Sequence, residues 1–560
     1  SSPAGAVVAV AVILGMPLAA ASAYVSFRTM VTSRVVRGLV AFAWATTGVA
    51  AASVAQGRLG AVVALVLLPP LASGFWLMAT RRSTATSAFA TAFAAVLLGA
   101  FVPVLLALSS ALALVIAAGR SRVRLHALVV AVVPLLLLGP WLVTAADTSW
   151  PELVAGVGVA QWGGTTPPPW QLALLHTGGP GAPPVWAGLP LVAVAVFALL
   201  RGRARRAAAS TLAVLIPVLL AFALVAPAVR MGTVPAGVEG AGQPITLWSG
   251  TLLLPLALVL VLALAGGLDG IRLPRPSVGS RVAAVTRWTA VPVSALAVTA
   301  GAVGVSWATL GSELTPWSDP RPAVSVEQAE GAFATRVLFV APGERGSAYR
   351  LVGREAADLV RPLPLVAEAD RSLATRVTGV LGDPSTAPAL FADTAADLLA
   401  VRAGLVPELT RRLDATEGLQ RIAPREGWEM WRVSPAGSAD GLVAPPRLRI
   451  ESPSGILLVT TTGQHAATST QVDAPPESRL VVAEALAWTE YAVVSLDAEV
   501  LEPLEGAPTP TYALPPGSGR LTITVTDPAR WWHRGQLAAF LVLAFLAIPF
   551  GRRASRVGGR

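Results

Sequence analysis

The sequence predicts a polytopic α-helical membrane protein of about eleven spans, with an exported α/β plus β-sandwich domain before the last span. Of its 560 residues, 54% are hydrophobic and 13% are charged, and the mean hydropathy is +0.64. A soluble chain cannot bury that much apolar surface. Apolar runs of about 20 residues, long enough to cross a bilayer, recur as far as position 309, and another occupies 536–550. The segment between them is charged and alternates as strands do.

These changes in composition divide the chain into four parts. In order they are a multi-span membrane domain of about ten helices, an exported α/β module, an exported β-sandwich, and a C-terminal membrane anchor with a basic tail. We place their limits at residues 1–309, 310–435, 436–533 and 534–560.

Short apolar patterns predict the elements of the exported domain. The α/β module should contain a strand at 335–340, helices at 389–403 and 407–413, and a hairpin of 419–422 with 429–433. In the β-sandwich, strand signals at 455–460 and 521–525 are separated by Pro and Gly turns.

Arginine sets the predicted orientation. All 42 basic residues are Arg, and Arg-rich connections should be cytoplasmic. Arg-rich and Arg-poor connections alternate correctly if residues 83–119 cross the membrane twice, with a break near Gly99 and Pro103. This pattern predicts a multi-pass plasma-membrane protein whose first residue, 147–184 loop and 310–533 domain are outside, with the C-terminus in the cytoplasm.

Several chemistries are disfavoured by missing residues. The chain has no Cys for disulfides, and its four His are scattered, so we expect no metal site. No Asp-x-Asp and no phosphate-cradling loop occurs, so we expect no cofactor and no sugar transfer from a nucleotide donor by this chain. Residues 310–530 carry 28 acids against 19 Arg, so nucleic acid is not an expected partner.

The 147–184 loop is the candidate site for a glycan or lipid. A Trp ring can stack on a sugar face while a carboxylate accepts hydroxyl hydrogen bonds, and two acids there could serve as an external general base. The alternative explanation is that these Trp are interfacial anchors and the Gly/Pro runs are plain turns. The candidate residues are Asp147, Trp150, Glu152, Trp162, Trp170 and His176; no catalytic residue is assigned.

Several stretches of the chain resemble the membrane half of large actinobacterial family 2 glycosyltransferases. They are 57–60 running into 67–70, 166–170 leading to 176–186, and 412–419 closing on 431–433. The resemblance implies that a cytoplasmic GT-A domain, which holds the catalytic residues, precedes this region. Since the chain begins Ser1-Ser2-Pro3 without Met, we expect it to be a fragment of such a protein.

The expected function follows from the resemblance. It implies the membrane and exported portion of a cell-envelope glycosyltransferase in surface glycan assembly, which handles a lipid-linked acceptor or nascent glycan. Its expected partners are membrane lipid, a polyprenyl-linked glycan and the GT-A domain of the full-length chain. The alternatives are a non-catalytic envelope scaffold or glycan exporter, and a GT-C type lipid-linked-sugar transferase.

Overall fold

The chain forms two compact units in this computed structural model. The helical unit comprises Ser1–Met231, Thr246–Pro316 and Gly535–Arg560, and the sheet-containing unit comprises Gly232–Ile245 and Trp317–Arg534. The structure describes residues 3–119, 121–155, 167–179, 182–201, 206–228, 230–233, 244–269, 295, 298–299, 301–303, 305–306, 320–341, 348–354, 371–403, 407–425, 427–433, 446–463, 466–526 and 530–548.

Twelve described helices precede the sheet-containing unit. Most are rich in Ala, Leu and Val, and several begin after a Ser or Thr cap or at Gly or Pro. They are α1 (Pro3–Ile13), α2 (Gly15–Ser26), α3 (Arg34–Ala45), α4 (Gly48–Ala55), α5 (Leu59–Ala79), α6 (Ala85–Phe101), α7 (Pro103–Gly119), α8 (Arg124–Ala155), α9 (Pro169–Ala173), α10 (Leu189–Arg201), α11 (Arg206–Val225) and α12 (Gly250–Asp269). A two-stranded sheet of β1 (Arg230–Thr233) and β2 (Pro244–Thr246) lies between α11 and α12.

The described helices include two that are long and apolar enough to cross a bilayer. These are α5 and the Arg124–Val143 part of α8. Two bent pairs raise the number to four if each is one span: Val7–Ile13 with Gly15–Thr29, bent by 63°, and Arg34–Ala45 with Gly48–Ala55, bent by 46°. The helical unit is therefore mostly helical with two to four candidate membrane spans.

The predicted count of about eleven spans is wrong for the described residues. Some apolar runs are divided by capping residues into two shorter helices, as between α3 and α4 and between α6 and α7. Thr47, for example, accepts a hydrogen bond from the Ala50 amide at 3.2 Å and starts a new helix directly after α3. Apolar composition alone does not reveal such breaks.

The predicted break within residues 83–119 is confirmed. α6 and α7 meet at Val102, and a Cβ on Gly99 would lie 2.6 Å from Leu106 Cδ2, so glycine lets the two helices pack closely here. The last helix, Arg530–Ala547, belongs to the same neighbourhood: Gln536 donates to the Leu137 carbonyl at 2.8 Å. Its Leu543 is buried in one cluster with residues of α5 to α8.

A five-stranded mixed sheet forms the first part of the sheet-containing unit. Its order is β4-β3-β5-β7-β6, with β3 and β5 parallel and the other neighbours antiparallel. Side chains of three helices share one buried cluster with one face of this sheet. The elements are α13 (Ala323–Glu330), β3 (Arg336–Ala341), β4 (Ala348–Val352), α14 (Arg371–Gly382), α15 (Ala387–Thr394), β5 (Ala396–Arg402), α16 (Pro407–Asp414), β6 (Leu419–Arg425) and β7 (Trp428–Val433); the cluster helices are α14 to α16.

The sequence located β3, α16 and the β6–β7 hairpin correctly, but the predicted helix at 389–403 is wrong in its second half. α15 ends at Thr394, Ala395 takes the left-handed conformation with φ of +53°, and β5 follows at once. β5 is buried through its first six residues. A buried strand shows no alternation of apolar and polar residues, so its pattern cannot be distinguished from that of a buried helix.

Two four-stranded antiparallel sheets form the second part of this unit. Their orders are β10-β15-β12-β13 and β14-β11-β8-β9, and inward residues of both sheets, such as Ile450 and Ile523, belong to one buried cluster. The strands are β8 (Leu448–Ser452), β9 (Gly455–Val459), β10 (Thr468–Ala474), β11 (Arg479–Val482), β12 (Ala492–Leu496), β13 (Glu499–Val500), β14 (Thr511–Ala513) and β15 (Gly517–Val525). The strand signals at 455–460 and 521–525 thus coincide with β9 and β15.

A buried ion cluster joins the mixed sheet to the paired sheets. Glu484 accepts hydrogen bonds from Arg336 Nη2 at 2.7 Å and from Arg447 Nε at 2.6 Å. The Arg447 side chain is 2% exposed, and the Arg447 amide also donates to the Phe333 carbonyl at 3.0 Å. Since both guanidinium groups bond to the same carboxylate, this cluster fixes the two parts of the unit to each other.

Candidate functional site

The turn between α4 and α5 places an arginine at the start of an apolar helix. Gly57 takes the left-handed conformation with φ of +62°, the Arg58 amide donates to the Ser53 carbonyl, and the Gly57 amide donates to the Val54 carbonyl, both at 2.9 Å. These two bonds form a Schellman motif, which glycine favours. The motif fixes the backbone of Arg58 directly before Leu59, the first residue of α5.

The Arg58 side chain lies against an aromatic ring. Its guanidinium carbon is 4.4 Å from the ring centroid of Trp248, within the range of a cation–π contact. Its Nε donates to Gln56 Oε1 at 2.8 Å. Among the described residues, no carboxylate pairs with Arg58.

Burial lowers the pKa of Arg58 to about 10. The group lies in the turn before α5, and at this pKa it stays charged at neutral pH. The Arg58 guanidinium is therefore a fixed positive charge. The Trp248 ring and Gln56 Oε1 offset part of the cost of removing it from water. An arginine in this state is a strong partner for an anion, because charge-assisted hydrogen bonds are stronger where water is partly excluded.

Gln56 connects this arginine to the predicted loop. Its Nε2 donates to the Gly178 carbonyl at 3.0 Å. Close packing supports the same arrangement, since a Cβ on Gly48 would lie 3.3 Å from the Leu175 carbonyl oxygen. The segment after α9 is thus held on the α4–α5 turn, with Leu172 and Leu175 each 1% exposed.

His176 stabilises the fold of this segment. Its Nδ1 lies 2.9 Å from the Pro183 carbonyl oxygen, so Nδ1 carries the proton and donates. Burial lowers the pKa of His176, and the bond to Pro183 opposes that shift. The neutral ring is therefore the form that the folded segment favours, which fits a structural role.

The predicted site residues do not all lie where the sequence placed them. The loop was expected to begin at 147, but α8 continues to Ala155, so Asp147, Trp150 and Glu152 lie in its last turns. α8 runs through Gly139 and Pro151, residues that helix propensity disfavours, so local sequence signals place its end too early. The side chains of these three residues, and all of Trp162, lie outside the described residues.

Two predicted residues are described in full. Trp170 lies in α9 and is 59% exposed, so its ring is available to a ligand or to an interface. His176 lies in the segment that Gln56 binds.

Sequence analysis missed Gln56, Arg58 and Trp248. One signal for Arg58 existed, because it is an isolated Arg directly before an apolar run. Nothing in the sequence pairs it with Trp248, which precedes α12 far along the chain. In the described part of the chain, no group of three or more His, Asp or Glu could hold a metal ion.

Comparison with protein families, curated proteins and solved structures found no match to this chain. The resemblance based on 166–170 and 176–186 therefore stays a prediction.

Proposed function

We propose that this chain is the membrane and exported portion of a cell-envelope glycosyltransferase, and that it handles a lipid-linked acceptor or nascent glycan during surface glycan assembly. The donor sugar would be transferred by a GT-A domain elsewhere in the full-length protein. In this proposal, residues 310–533 lie outside the plasma membrane and the C-terminus lies in the cytoplasm.

The observation that carries the proposal is the ordered segment held on the α4–α5 turn. It presents Trp170, which is 59% exposed, from a segment whose backbone Gln56 binds at Gly178. An exposed Trp can stack on a sugar ring, and the nearby turn supplies the charge of Arg58 at the end of a candidate span. A lipid-linked sugar needs both kinds of contact, because it carries a sugar and an anionic linkage on an apolar tail.

A binding experiment with the whole chain tests this function. The probe is a polyprenyl-diphosphate-linked N-acetylglucosamine, titrated into the purified chain in neutral detergent. Trp170→Ala should weaken binding by roughly two- to ten-fold, since stacking contributes about 0.5–1.5 kcal/mol. The matched control is Trp141→Ala, an exposed Trp on α8, which should leave binding unchanged.

Two results would contradict the proposal. If Trp170→Ala lowers thermal stability in detergent and leaves binding unchanged, Trp170 is an interfacial anchor. If the unmodified chain does not bind the probe, the alternative of a non-catalytic scaffold or exporter gains support.

A further inference from the structure

We infer that Arg58 and Trp248 form a binding site for a phosphoryl group. The inference deepens the proposed function and rests on it for the identity of the ligand, because a lipid-linked sugar carries its phosphoryl group at the end of its apolar tail. Both residues lie outside the predicted 147–184 loop.

The Arg58 guanidinium has hydrogen-bond donors left unused by the described residues. Arg58 is partly buried, and among the described residues its polar contact is the one bond from Nε to Gln56. Its terminal amino groups form no hydrogen bond with a described residue. A charge in this position is stabilised when an anion supplies acceptors.

The Trp248 ring that Arg58 contacts carries a second donor. The Nε1 of Trp248 is buried and has no hydrogen-bond partner among the described residues. Buried polar groups without a partner are rare, and each suggests an unseen acceptor. Arg58 stacks on this ring at 4.4 Å, so two kinds of donor without an acceptor occur in one place.

Arg58 and Trp248 are both held in fixed positions. A Cβ on Gly250 would lie 2.3 Å from Cζ2 and Cη2 of Trp248, so this ring position requires glycine at 250. Gln56 holds the guanidinium through Nε, and the Schellman motif holds its backbone. Fixed donors bind an anion with little loss of conformational entropy.

The chemistry and position of Arg58 favour a phosphoryl group as the anion. A phosphoryl group offers several acceptor oxygens, and a guanidinium matches them with two parallel donors. Arg58 directly precedes α5, a helix long and apolar enough to cross a bilayer. The ends of such helices lie at the level of the lipid headgroups, where phosphoryl groups are the abundant anions.

Equilibrium binding to the whole chain in neutral detergent at pH 7.5 tests the inference. The two probes are inorganic phosphate and dodecyl phosphate. Arg58→Gln should weaken binding of the phosphoryl probe by ten-fold or more, and Trp248→Phe, which keeps the ring and removes Nε1, should weaken it about three-fold. The matched control is Arg82→Gln, an exposed Arg just beyond the other end of α5, which should change it less than two-fold.

The two probes distinguish the source of the group. Tighter binding of dodecyl phosphate assigns the site to a lipid, whereas equal binding assigns it to free phosphate. If Arg58→Gln binds the probes as well as Arg82→Gln does, or if neither probe binds the unmodified chain, the inference is overturned. Folding of each variant is checked by its thermal transition, and Arg58→Lys, which keeps the charge, provides a second test through an intermediate loss.

The outcomes separate this inference from the proposed function. Phosphoryl binding that depends on Arg58, without binding of the sugar-bearing probe, would leave the site in place and remove the glycan role. Binding of the sugar-bearing probe that Trp170→Ala weakens and Arg58→Gln does not would support the function and overturn this site.

Discussion

The helical unit and the sheet-containing unit hold arginine in different surroundings. In the sheet-containing unit, Arg336 and Arg447 both bond to the carboxylate of Glu484. In the helical unit, Arg58 stacks on Trp248, and no described carboxylate pairs with it. A buried arginine bonded to a carboxylate stabilises the fold, whereas the partly buried Arg58 can pair with an anion, as in the proposed phosphoryl site.

The sheet-containing unit also contains a buried acid, Asp397. Asp397 is 4% exposed; its Oδ2 accepts from Thr335 at 3.2 Å, and its Oδ1 has no partner among the described residues. It lies at an irregularity of β5, between Ala396, which pairs with Arg336, and Leu398, which pairs with Val337. Burial raises the pKa of Asp397 to about 7. A carboxyl group can therefore lose its charge near neutral pH, which the guanidinium of Arg58 cannot do.

Breaking the paired cluster should have the largest effect. Glu484→Gln removes the carboxylate to which both buried guanidinium groups bond, and we expect the free energy of unfolding of this unit to fall by about 3–5 kcal/mol. The measurement is a urea titration of the whole chain, with limited proteolysis of the sheet-containing unit as the readout.

The control for Glu484 is an exposed ion pair. Glu408 pairs with Arg411 at 2.6 Å, and both side chains are mostly exposed, so Glu408→Gln should cost less than about 1 kcal/mol. Equal losses in the two variants would mean that the buried cluster contributes nothing special, and the contrast with Arg58 would lose its basis.

The second effect is a gain in stability. Because the pKa of Asp397 is raised in the folded state, its neutral form stabilises the fold, and that contribution is lost as pH rises through about 7. Asp397→Asn should therefore raise the free energy of unfolding at pH 8 by about 2 kcal/mol, half of the roughly 4 kcal/mol that a three-unit shift represents. The gain should shrink as the pH falls and should vanish in urea titrations below the ordinary Asp pKa of about 3.9.

A neighbouring acid provides the opposite case. Asp393 pairs with Arg376 at 2.6 Å and with Arg449 at 3.6 Å, so Asp393→Asn should destabilise the unit at pH 8. If both substitutions destabilise it equally, Asp397 is charged and paired in the folded state, and its supposed difference from Asp393 is wrong.

The same contrast explains what the sequence could predict. Local patterns located β3, α16, the β6–β7 hairpin and the break between α6 and α7, because alternation, caps and glycines are local signals. β5 was missed because a strand buried on both faces has no alternation. The break that Thr47 makes between α3 and α4 was missed because apolar composition alone does not reveal a cap inside an apolar run.

The candidate site was harder to predict than the fold. The loop residues Trp170 and His176 were selected from composition, and the structure holds their segment on the α4–α5 turn. Arg58 and Trp248 come together only through tertiary packing, which a single sequence does not show. Their relation depends on Gly250 and Gln56, residues of ordinary type that carry no motif.

The smallest predicted effect concerns the segment that Gln56 binds, and it separates a structural histidine from the ligand site. His176→Phe removes the Nδ1 donor to the Pro183 carbonyl, and we expect local stability to fall by about 1 kcal/mol at pH 7.5. Since the pKa of His176 is lowered in the folded state, its contribution is fully present above the ordinary pKa of about 6.5 and is lost as pH falls below that value. The gap between the variant and the unmodified chain should therefore shrink at pH 5.5. Amide hydrogen exchange of 171–184, corrected for the intrinsic effect of pH on exchange, measures it, and Trp170→Ala should keep the pH dependence of the unmodified chain. A gap that stays constant between the two pH values would show that the bond to Pro183 does not depend on the charge of His176.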